Sequence, residues 1–254
     1  MTPIVLIPAR MASSRLPGKP LAMIAGRPMI AHVLDRAREA GVGPVAAACA
    51  EEEIAAAVRA AGGEAVMTDP ALPSGSDRCF AAAEALDPEG RYDVVVNLQG
   101  DLPTLDPAAI RAVLAPLADP GVDIATLVTA IHDASEATAP NFVKAAVVFP
   151  EGVTTARALY FSRLPVPYGP GPLWHHIGIY AWRRAALARF VALPPSGLEQ
   201  REKLEQLRAM EAGMTIACTP IASAPFGVDT PEDLARAKAI MENLGPSSKD
   251  TPRD

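Results

Sequence analysis

Apolar runs of strand length alternate with longer stretches of helical spacing through the first hundred residues. The apolar runs, which are the predicted strands, cover residues 4–7, 45–50, 65–67 and 93–99. The amphipathic stretches between them begin near residues 28, 51 and 77. This order of strand, helix and strand is typical of a parallel sheet with right-handed crossovers. We therefore predict an α/β fold with a mostly parallel, Rossmann-like sheet.

The pattern changes at about residue 140. Before it, a helix is predicted over 107–117 and a strand over 123–130; after it come three strand candidates, over 143–149, 158–162 and 175–182. Because no helix separates the first two, we predict an α+β insertion over about 140–182 with an antiparallel edge. Further elements are helices over 183–192 and 196–211, a strand over 214–219 and a last helix from residue 230. Residues 1–244 are predicted to form one domain and residues 245–254 a disordered tail.

Composition excludes several classes of protein. Half of the 254 residues are hydrophobic and 20% are charged, which indicates a globular chain. The formal net charge of -6, with no basic face beyond the first loop, argues against a nucleic-acid partner. The three cysteines are far apart and fit neither a disulfide frame nor a zinc site. Since no apolar run suits a signal peptide or a bilayer span, we predict a cytoplasmic protein with no membrane partner.

The loop after the first strand concentrates positive charge. Four cations precede Asp35, the first acidic residue: Arg10, Arg15, Lys19 and Arg27. A buried strand that feeds such a loop forms the first ligand-binding edge of an open α/β sheet. Cations and backbone amides there suit a polyanion, most simply a phosphate chain. The loop is neither a Walker phosphate loop nor a GxGxxG motif, and the alternative is a solvated connection whose cations face water.

Two carboxylates follow predicted strands and are candidates for a metal site. Asp101 comes directly after the strand over 93–99, and Asp229 precedes the last helix. Carboxylates at this edge, beside a phosphate-binding loop, suit a magnesium ion held between protein and triphosphate. Helix capping is the alternative role for Asp229, and a turn is the alternative for Asp101. Sequence spacing alone does not bring the two together.

A second polar group lies on the strand over 175–182. Alternation places His176, Gly178 and Tyr180 on one face, where the glycine leaves room for a ligand to approach. A structural histidine is the more common case, so this face is a weak signal by itself. Glu205 and Gln206 follow on a predicted helix and, taken alone, would be a solvated edge.

Several motifs together resemble those of the 3-deoxy-manno-octulosonate (Kdo) cytidylyltransferases. The matching segments, in chain order, are residues 8–21 (PARMASSRLPGKPL), 74–78 (SGSDR), 97–101 (NLQGD), 158–163 (ALYFSR), 176–180 (HIGIY), 204–208 (LEQLR) and 228–234 (VDTPEDL). The resemblance covers nearly the whole chain. It implies a nucleotide-diphospho-sugar transferase sheet, transfer of CMP from CTP to the anomeric hydroxyl of Kdo, and release of pyrophosphate for lipopolysaccharide synthesis.

The resemblance also implies roles for individual residues. The implied catalytic residues are Arg10, Lys19, Asp101 and Asp229, of which the two aspartates would hold Mg²⁺. The implied CTP-binding residues are Pro8, Ala9, Arg10, Ser13, Ser14, Arg15, Lys19, Ser74, Arg78, Gln99 and Asp101. The implied sugar-acid-binding residues are Arg163, His176, Tyr180, Glu205 and Gln206. The family implies a homodimer whose subunit contact comes from the inserted region.

The chain departs from the family pattern at two points near these motifs. Leu102 stands where the family usually has Glu after Gly-Asp, and residues 48–50 read Ala-Cys-Ala instead of Ala-Thr-Asp. Neither change removes an implied phosphate or metal ligand. Two alternatives remain open: a cytidylyltransferase for a related sugar acid (8-amino Kdo or a sialic-type acid), and a non-catalytic nucleotide-binding paralogue. The first loop lacks the Gly-Ser-Lys element of the sialic enzymes, which disfavours that substrate.

Overall fold

A computed structural model describes residues 1–13 and 15–243 of the chain. Ser14 and the predicted tail over 245–254 lie outside the described residues. The strands are β1 (Pro3–Ala9), β2 (Met23–Ile24), β3 (Arg27–Pro28), β4 (Val45–Cys49), β5 (Glu64–Met67), β6 (Val94–Asn97), β7 (Ile124–Ala130), β8 (Lys144–Ala146), β9 (Ala156–Arg157), β10 (Tyr160–Ser162), β11 (Trp174–Arg183) and β12 (Ile216–Pro220). The α-helices are α1 (Met29–Ala40), α2 (Glu52–Ala60), α3 (Gly75–Leu86), α4 (Pro107–Ala112), α5 (Ala134–Thr138), α6 (Arg184–Val191), α7 (Gly197–Glu202), α8 (Gln206–Glu211) and α9 (Pro231–Asn243), with 3₁₀ turns at Lys19–Leu21 and Ala115–Ala118.

Ten of the strands form one sheet, whose main path runs in the order β5-β4-β1-β6-β11-β7-β12-β9. The pairs β1–β4, β1–β6, β4–β5 and β7–β12 are parallel, which confirms the predicted α/β fold with a mostly parallel sheet. Helices cover both faces, as the crossover connections require. One cluster of the core packs β1 and β6 against α1, α2 and α4, and the other packs the opposite face against α3, α6 and α8.

The expectation of an antiparallel edge over 140–182 is wrong for β11. This strand is antiparallel, but it lies in the middle of the sheet between β6 and β7. Its side chains enter both core layers: Ile177 and Ile179 pack in one, and Trp182 packs in the other. A strand that is buried on both faces can pair on both sides, and the sequence alternation does not reveal which neighbours it takes. β8 and β10 then extend the sheet beside the first half of β11.

Two helix predictions were too long. The single helix predicted over 196–211 is wrong: it divides into α7 and α8 because Lys203 adopts a left-handed backbone conformation with φ 57°. Arg208 on α8 fixes the angle between the two helices by pairing with Glu199 on α7 at 2.8 and 2.5 Å. The helix predicted over 107–117 ends at Ala112, and the chain then turns through a 3₁₀ segment that contains Pro116, which lacks an N–H donor.

The first loop is held against the last helix. Met23–Ile24 and Arg27–Pro28 form a small hairpin, and Ile24 packs in a cluster with Val228 and Ala237, which brings α9 over the loop. The carboxyl ends of β1 and β6 meet the amino end of α3 beneath this cover. Within residues 1–13 and 15–243, no helix has both the length and the apolar character needed to cross a membrane.

Candidate active site

A cavity of about 350 Å³ opens at the carboxyl ends of β1 and β6, where ligands bind in open α/β sheets. It is lined by Pro8, Ala9, Arg10, Ala12, Ser13, Arg15, Lys19, Pro20, Ser74, Gly75, Arg78, Gln99, Gly100 and Asp101. Every residue implied to bind CTP lines this cavity, apart from Ser14, which the structure does not describe. Three separate segments of the sequence, within 8–20, 74–78 and 99–101, therefore converge on one site.

Two glycines allow the segments to approach closely around Pro8. A Cβ at Gly75 would lie 3.3 Å from the Pro8 ring, and a Cβ at Gly100 would lie 3.2 Å from the Pro8 carbonyl oxygen. Any larger residue would push β1 away from α3 or from the end of β6. The amino end of α3 thus lies directly at the cavity wall, where its dipole favours an anion, although the Ser74 side chain already accepts from the Ser76 and Asp77 amides.

Positive charge dominates the cavity wall. The lining contains the cations Arg10, Arg15, Lys19 and Arg78, against the single carboxylate of Asp101. Arg78 is 2% exposed, and burial lowers its pKa. It donates hydrogen bonds to the Thr68 hydroxyl at 2.6 Å and the Asp69 carbonyl at 3.2 Å, and no carboxylate among residues 1–13 and 15–243 forms a salt bridge with it. The site has the electrostatic character of a polyphosphate site.

Lys19 brings the two predicted metal ligands together. Its ammonium donates to Asp101 Oδ2 at 2.7 Å and to Asp229 Oδ1 at 3.0 Å, although these residues are far apart in sequence. Burial alone would lower the pKa of Lys19, but the charge of Asp101 and its hydrogen bond outweigh burial, so the pKa is raised. Arg15 pairs with the other oxygen of Asp229 at 3.0 Å. Both carboxylates therefore face cations of the first loop.

The oxygen donors of this pair fit a magnesium ion. Since Asp101 and Asp229 both contact one ammonium, a single small cation can reach both. Among residues 1–13 and 15–243 there is no cluster of three or more acidic, histidine or cysteine side chains that would enclose a metal by itself. Mg²⁺ usually takes one or two carboxylates and completes its shell with phosphate oxygens and water, so two carboxylates beside a phosphate site are sufficient.

The residues implied to bind the sugar acid form a second group beside the cavity. Arg163 lies at the end of β10 and donates to the carbonyls of Glu202, Pro140 and Lys203 at 2.7, 3.0 and 3.2 Å. These bonds fix the guanidinium at the break between α7 and α8, next to Glu205 and Gln206. None of the five implied sugar-acid residues appears in the wall of the 350 Å³ cavity.

Glu205 links this second group to the nucleotide side. Its carboxyl group lies 2.6 Å from the hydroxyl of Ser74, the residue that caps the amino end of α3. Ser76 also approaches it, at 3.4 Å. Burial raises the pKa of Glu205 in spite of these hydrogen bonds. Glu205 is therefore not the solvated edge that sequence alone allows.

His176 and Tyr180 share one side of β11, as the alternation predicts. Their ring centroids are 5.5 Å apart, and the His176 ring also packs on Phe161 at 4.8 Å. Burial lowers the pKa of His176 to about 3, so the ring is neutral at physiological pH. No heavy atom of the residues that the structure describes lies within 4 Å of where a Cβ of Gly178 would be, which leaves room for a ligand.

Sequence analysis missed three polar residues that support this group. Thr126 on β7 is fully buried and contacts His176. Lys144 on β8 is fully buried, and its ammonium donates to the carbonyls of Ala139, Phe142 and Arg163 at 2.9, 2.7 and 2.9 Å. Glu202 accepts a hydrogen bond from the Arg163 backbone at 3.0 Å. A charged or hydroxyl residue inside an apolar strand was the available signal for the first two.

The two departures from the family pattern fall outside the charged wall. Leu102 is buried in the core, and its side chain lies close to Gly227, just before Asp229. Cys49 is fully buried, and burial raises the pKa of its thiol to about 11, so it is an inert core residue.

Comparisons with known proteins agree with this fold and site. A family model described as cytidylyltransferase matches residues 4–216, so the chain belongs to the cytidylyltransferase family. The 3-deoxy-manno-octulosonate cytidylyltransferase of Rhodospirillum centenum is 64% identical over 94% of this chain and 93% of its own length. That of Paramagnetospirillum magneticum is 61% identical over 95% and 98%. The resemblance stated from the motifs is thereby confirmed.

Solved structures give the same result for the fold. A CMP:2-keto-3-deoxy-manno-octonic acid synthetase complexed with CTP superposes with a TM-score of 0.86 at 42% identity, over 96% of this chain and all of that chain. A cytidylyltransferase from Leptospira borgpetersenii superposes with a TM-score of 0.64 at 16% identity, which is a likeness of fold alone.

Proposed function

We propose that this protein transfers CMP from CTP to the anomeric hydroxyl of Kdo, with release of pyrophosphate. The observation that carries the proposal is the convergence of three distant segments on one cationic cavity, directly beside the group that contains Arg163, His176 and Glu205. The relatives at 61 to 64% identity are named 3-deoxy-manno-octulosonate cytidylyltransferases, which supports this choice of substrates. The product would serve lipopolysaccharide synthesis in the cytoplasm.

The reaction needs charge neutralisation and alignment more than it needs a protein nucleophile. The sugar hydroxyl oxygen forms a bond to the α-phosphorus, the bond from that phosphorus to the bridging oxygen of pyrophosphate breaks, and the hydroxyl proton is released. Arg10, Lys19 and Arg78 would offset the charge of the triphosphate, helped by the amino end of α3. Arg163 would orient the sugar carboxylate with the N–H groups that its three carbonyl contacts leave free.

Asp101 and Asp229 would hold Mg²⁺ on the carboxylate side of the cavity. When bound, the metal supplies charge neutralisation to the phosphates and favours ionisation of the attacking hydroxyl. Lys19 would then turn from the two carboxylates to the phosphates, which its position on the cavity wall allows. Lys19 would thus neutralise the two carboxylates before the substrate binds and the triphosphate afterwards.

The protein would act as a homodimer through the segment between β8 and β11. Five exposed large apolar side chains fall within it: Val148, Val153, Leu159, Leu164 and Tyr168. Exposed apolar groups of this number in one segment are a common mark of a subunit contact. Light scattering coupled to size exclusion would give twice the monomer mass of 26.5 kDa, and a monomer at micromolar concentration would contradict this contact.

A pyrophosphate-release assay with CTP and a panel of sugar acids tests the proposed reaction. Kdo is expected to be the best substrate, and Asp101→Asn is expected to reduce turnover at least about 100-fold, as loss of an essential charged group typically does. Asp106→Asn is the matched control, because Asp106 caps α4 away from the cavity and Asn caps equally well. Preference for another sugar acid would support the related-substrate alternative, and CTP binding without turnover would support the non-catalytic one.

A further inference from the structure

Thr126, His176 and Gln206 form a hydrogen-bonded chain behind the sugar-acid group. The Thr126 hydroxyl lies 3.1 Å from His176 Nε2, and the amide nitrogen of Gln206 lies 3.5 Å from His176 Nδ1. All three side chains are at least 92% buried, with exposed fractions of 0, 8 and 4%. Because these three side chains are almost completely shielded from water, their hydrogen-bond donors and acceptors must match one another.

An irregularity in β11 decides which way the protons face. The register between β7 and β11 shifts between Ile177 and Tyr180, and the shift turns the carbonyls of Ile177 and Ile179 toward Thr126. These carbonyl oxygens lie 3.0 and 2.9 Å from the Thr126 hydroxyl. Carbonyls only accept, so the one proton of the threonine goes to one of them.

The threonine oxygen can then only accept from the histidine. His176 Nε2 must therefore carry a proton and donate it to Thr126, which makes the neutral ring an Nε2–H tautomer. Nδ1 is left as an acceptor, so the side of the Gln206 amide that faces it must be the NH₂ group. The opposite tautomer would set the Nε2 lone pair against the threonine oxygen, which is acceptor against acceptor, and Nδ1–H against the Gln206 NH₂ group, which is donor against donor.

The orientation of Gln206 has a consequence at the ligand side. Among the described residues, Gln206 Oε1 has no hydrogen-bond partner, and it is not one of the fully enclosed unpaired atoms, which are Trp182 Nε1 and Thr219 Oγ1. This oxygen therefore keeps a small exposed surface and an unused acceptor position. The neighbouring Glu205 carboxyl group is engaged by Ser74 at 2.6 Å.

We infer that Thr126 is a positioning residue: through the His176 tautomer it fixes the Gln206 amide so that Oε1 is presented to the substrate as an acceptor for a sugar hydroxyl. The identity of that substrate rests on the proposed function, whereas the tautomer does not. An amide that is free to rotate could turn either its oxygen or its NH₂ group toward the substrate and would not distinguish an amine from a hydroxyl. Because the Gln206 amide is fixed, it contributes to the selection of the sugar acid.

The direct test is the ring-nitrogen spectrum of His176 in the full-length protein, labelled with ¹⁵N-histidine and assigned with a His176→Asn variant. Wild type and Thr126→Ser are expected to show a single Nε2–H tautomer. Thr126→Val, which has the same shape and no hydroxyl, is expected to lose this preference and to raise the KM for the sugar acid roughly tenfold with the KM for CTP unchanged. A wild-type ring protonated on Nδ1 would overturn the inference, as would a Thr126→Val variant with an unchanged tautomer.

A second variant covers the case in which Thr126→Val does not fold. Gln206→Glu replaces the amide with a carboxylate, which cannot donate to Nδ1. The His176 ring of this variant is therefore expected to carry a proton on Nδ1. A ring that still carries its only proton on Nε2 would refute the hydrogen-bonded series Thr126–His176–Gln206. If Thr126→Val changes the His176 tautomer but leaves the KM for the sugar acid unchanged, the proposed effect of the tautomer on substrate binding through Gln206 is refuted. If no sugar acid is turned over, the spectra still decide the inference, because they require no substrate.

Discussion

Lys19 provides the sharpest test of the proposed magnesium site. Its ammonium lies 2.7 Å from Asp101 Oδ2 and 3.0 Å from Asp229 Oδ1, so it competes with a metal ion for the same oxygens. We expect Lys19→Met, tested without nucleotide, to bind Mn²⁺ more tightly than the wild type. Methionine keeps an unbranched side chain of similar length and removes the ammonium group, with both its charge and its N–H donors.

The size of the effect follows from the distances. Two unit charges about 4 Å apart repel by about 1 kcal/mol in water, and a divalent ion doubles this to about 2 kcal/mol, which is roughly a 30-fold change in Kd. The figure is a lower bound, because the Lys19 and Asp101 side chains are only 17% and 26% exposed and therefore less screened than in water. Turnover with CTP and Mg²⁺ should fall in the same variant, because the triphosphate loses a cation.

Electron paramagnetic resonance of free Mn²⁺, titrated with protein, measures this affinity. Arg27→Met is the matched control: it removes a cation that pairs with Asp35 at 2.7 Å outside the cavity wall, and its Mn²⁺ affinity should equal that of the wild type. Adding Asp101→Asn to Lys19→Met should abolish the gain. If the Mn²⁺ affinities of the wild type and of Lys19→Met lie within about threefold of each other, the proposal that Lys19 and the metal compete for Asp101 and Asp229 is refuted.

Three further predictions concern the sugar-acid group and the stability of the fold. Gly178→Ala should leave the free energy of unfolding unchanged, because its Cβ meets no atom within 4 Å, but should raise the KM for the sugar acid about tenfold or more; an unchanged KM would place the ligand elsewhere. Arg163→Lys should raise the same KM and lower the Tm, since an ammonium cannot reproduce the fork that contacts three carbonyls; a wild-type KM would remove Arg163 from the site. Burial would raise the pKa of Asp87, but hydrogen bonds from the backbone of Tyr92 and Arg91 and from the side chains of Arg91 and Arg184 together outweigh it and lower the pKa from 3.8 to about 2. The stability this depressed pKa contributes is present above about pH 4 and is lost as pH falls toward 2, so urea unfolding at several pH values should show a shallower acid loss for Asp87→Asn; identical pH profiles would contradict this.

The strand and helix pattern determined the parallel half of the sheet. Strands β1, β4, β5 and β6 were predictable because an amphipathic helix separates each apolar run from the next, which restricts the connections to right-handed crossovers. The β2–β3 hairpin was not predicted. The central place of β11 was not predictable, because pairing partners depend on contacts between distant parts of the chain. The break at Lys203 was hidden because helical spacing resumes directly after it, at Leu204, Leu207 and Met210.

The candidate site divides in the same way. The cationic character of the first loop is local and could be derived from composition, as could the position of Asp101 after a buried strand. The contact of both Asp101 and Asp229 with Lys19 depends on tertiary structure, so the sequence supported it only as a hypothesis. The hydroxyl of Thr126 inside an apolar strand was visible in the sequence, but its role was not, because that role depends on the irregular register between β7 and β11.

The most direct test of the central claim uses Kdo labelled with ¹⁸O at the anomeric hydroxyl. With CTP, Mg²⁺ and the purified protein, ³¹P NMR should show the label in the bridge between the sugar and the phosphorus of CMP-Kdo, with none in pyrophosphate. This result is required if the sugar hydroxyl attacks the α-phosphorus in the cavity between Arg10, Lys19 and Arg78. Label in pyrophosphate, or no CMP-Kdo from a protein that binds CTP, would contradict the proposed reaction.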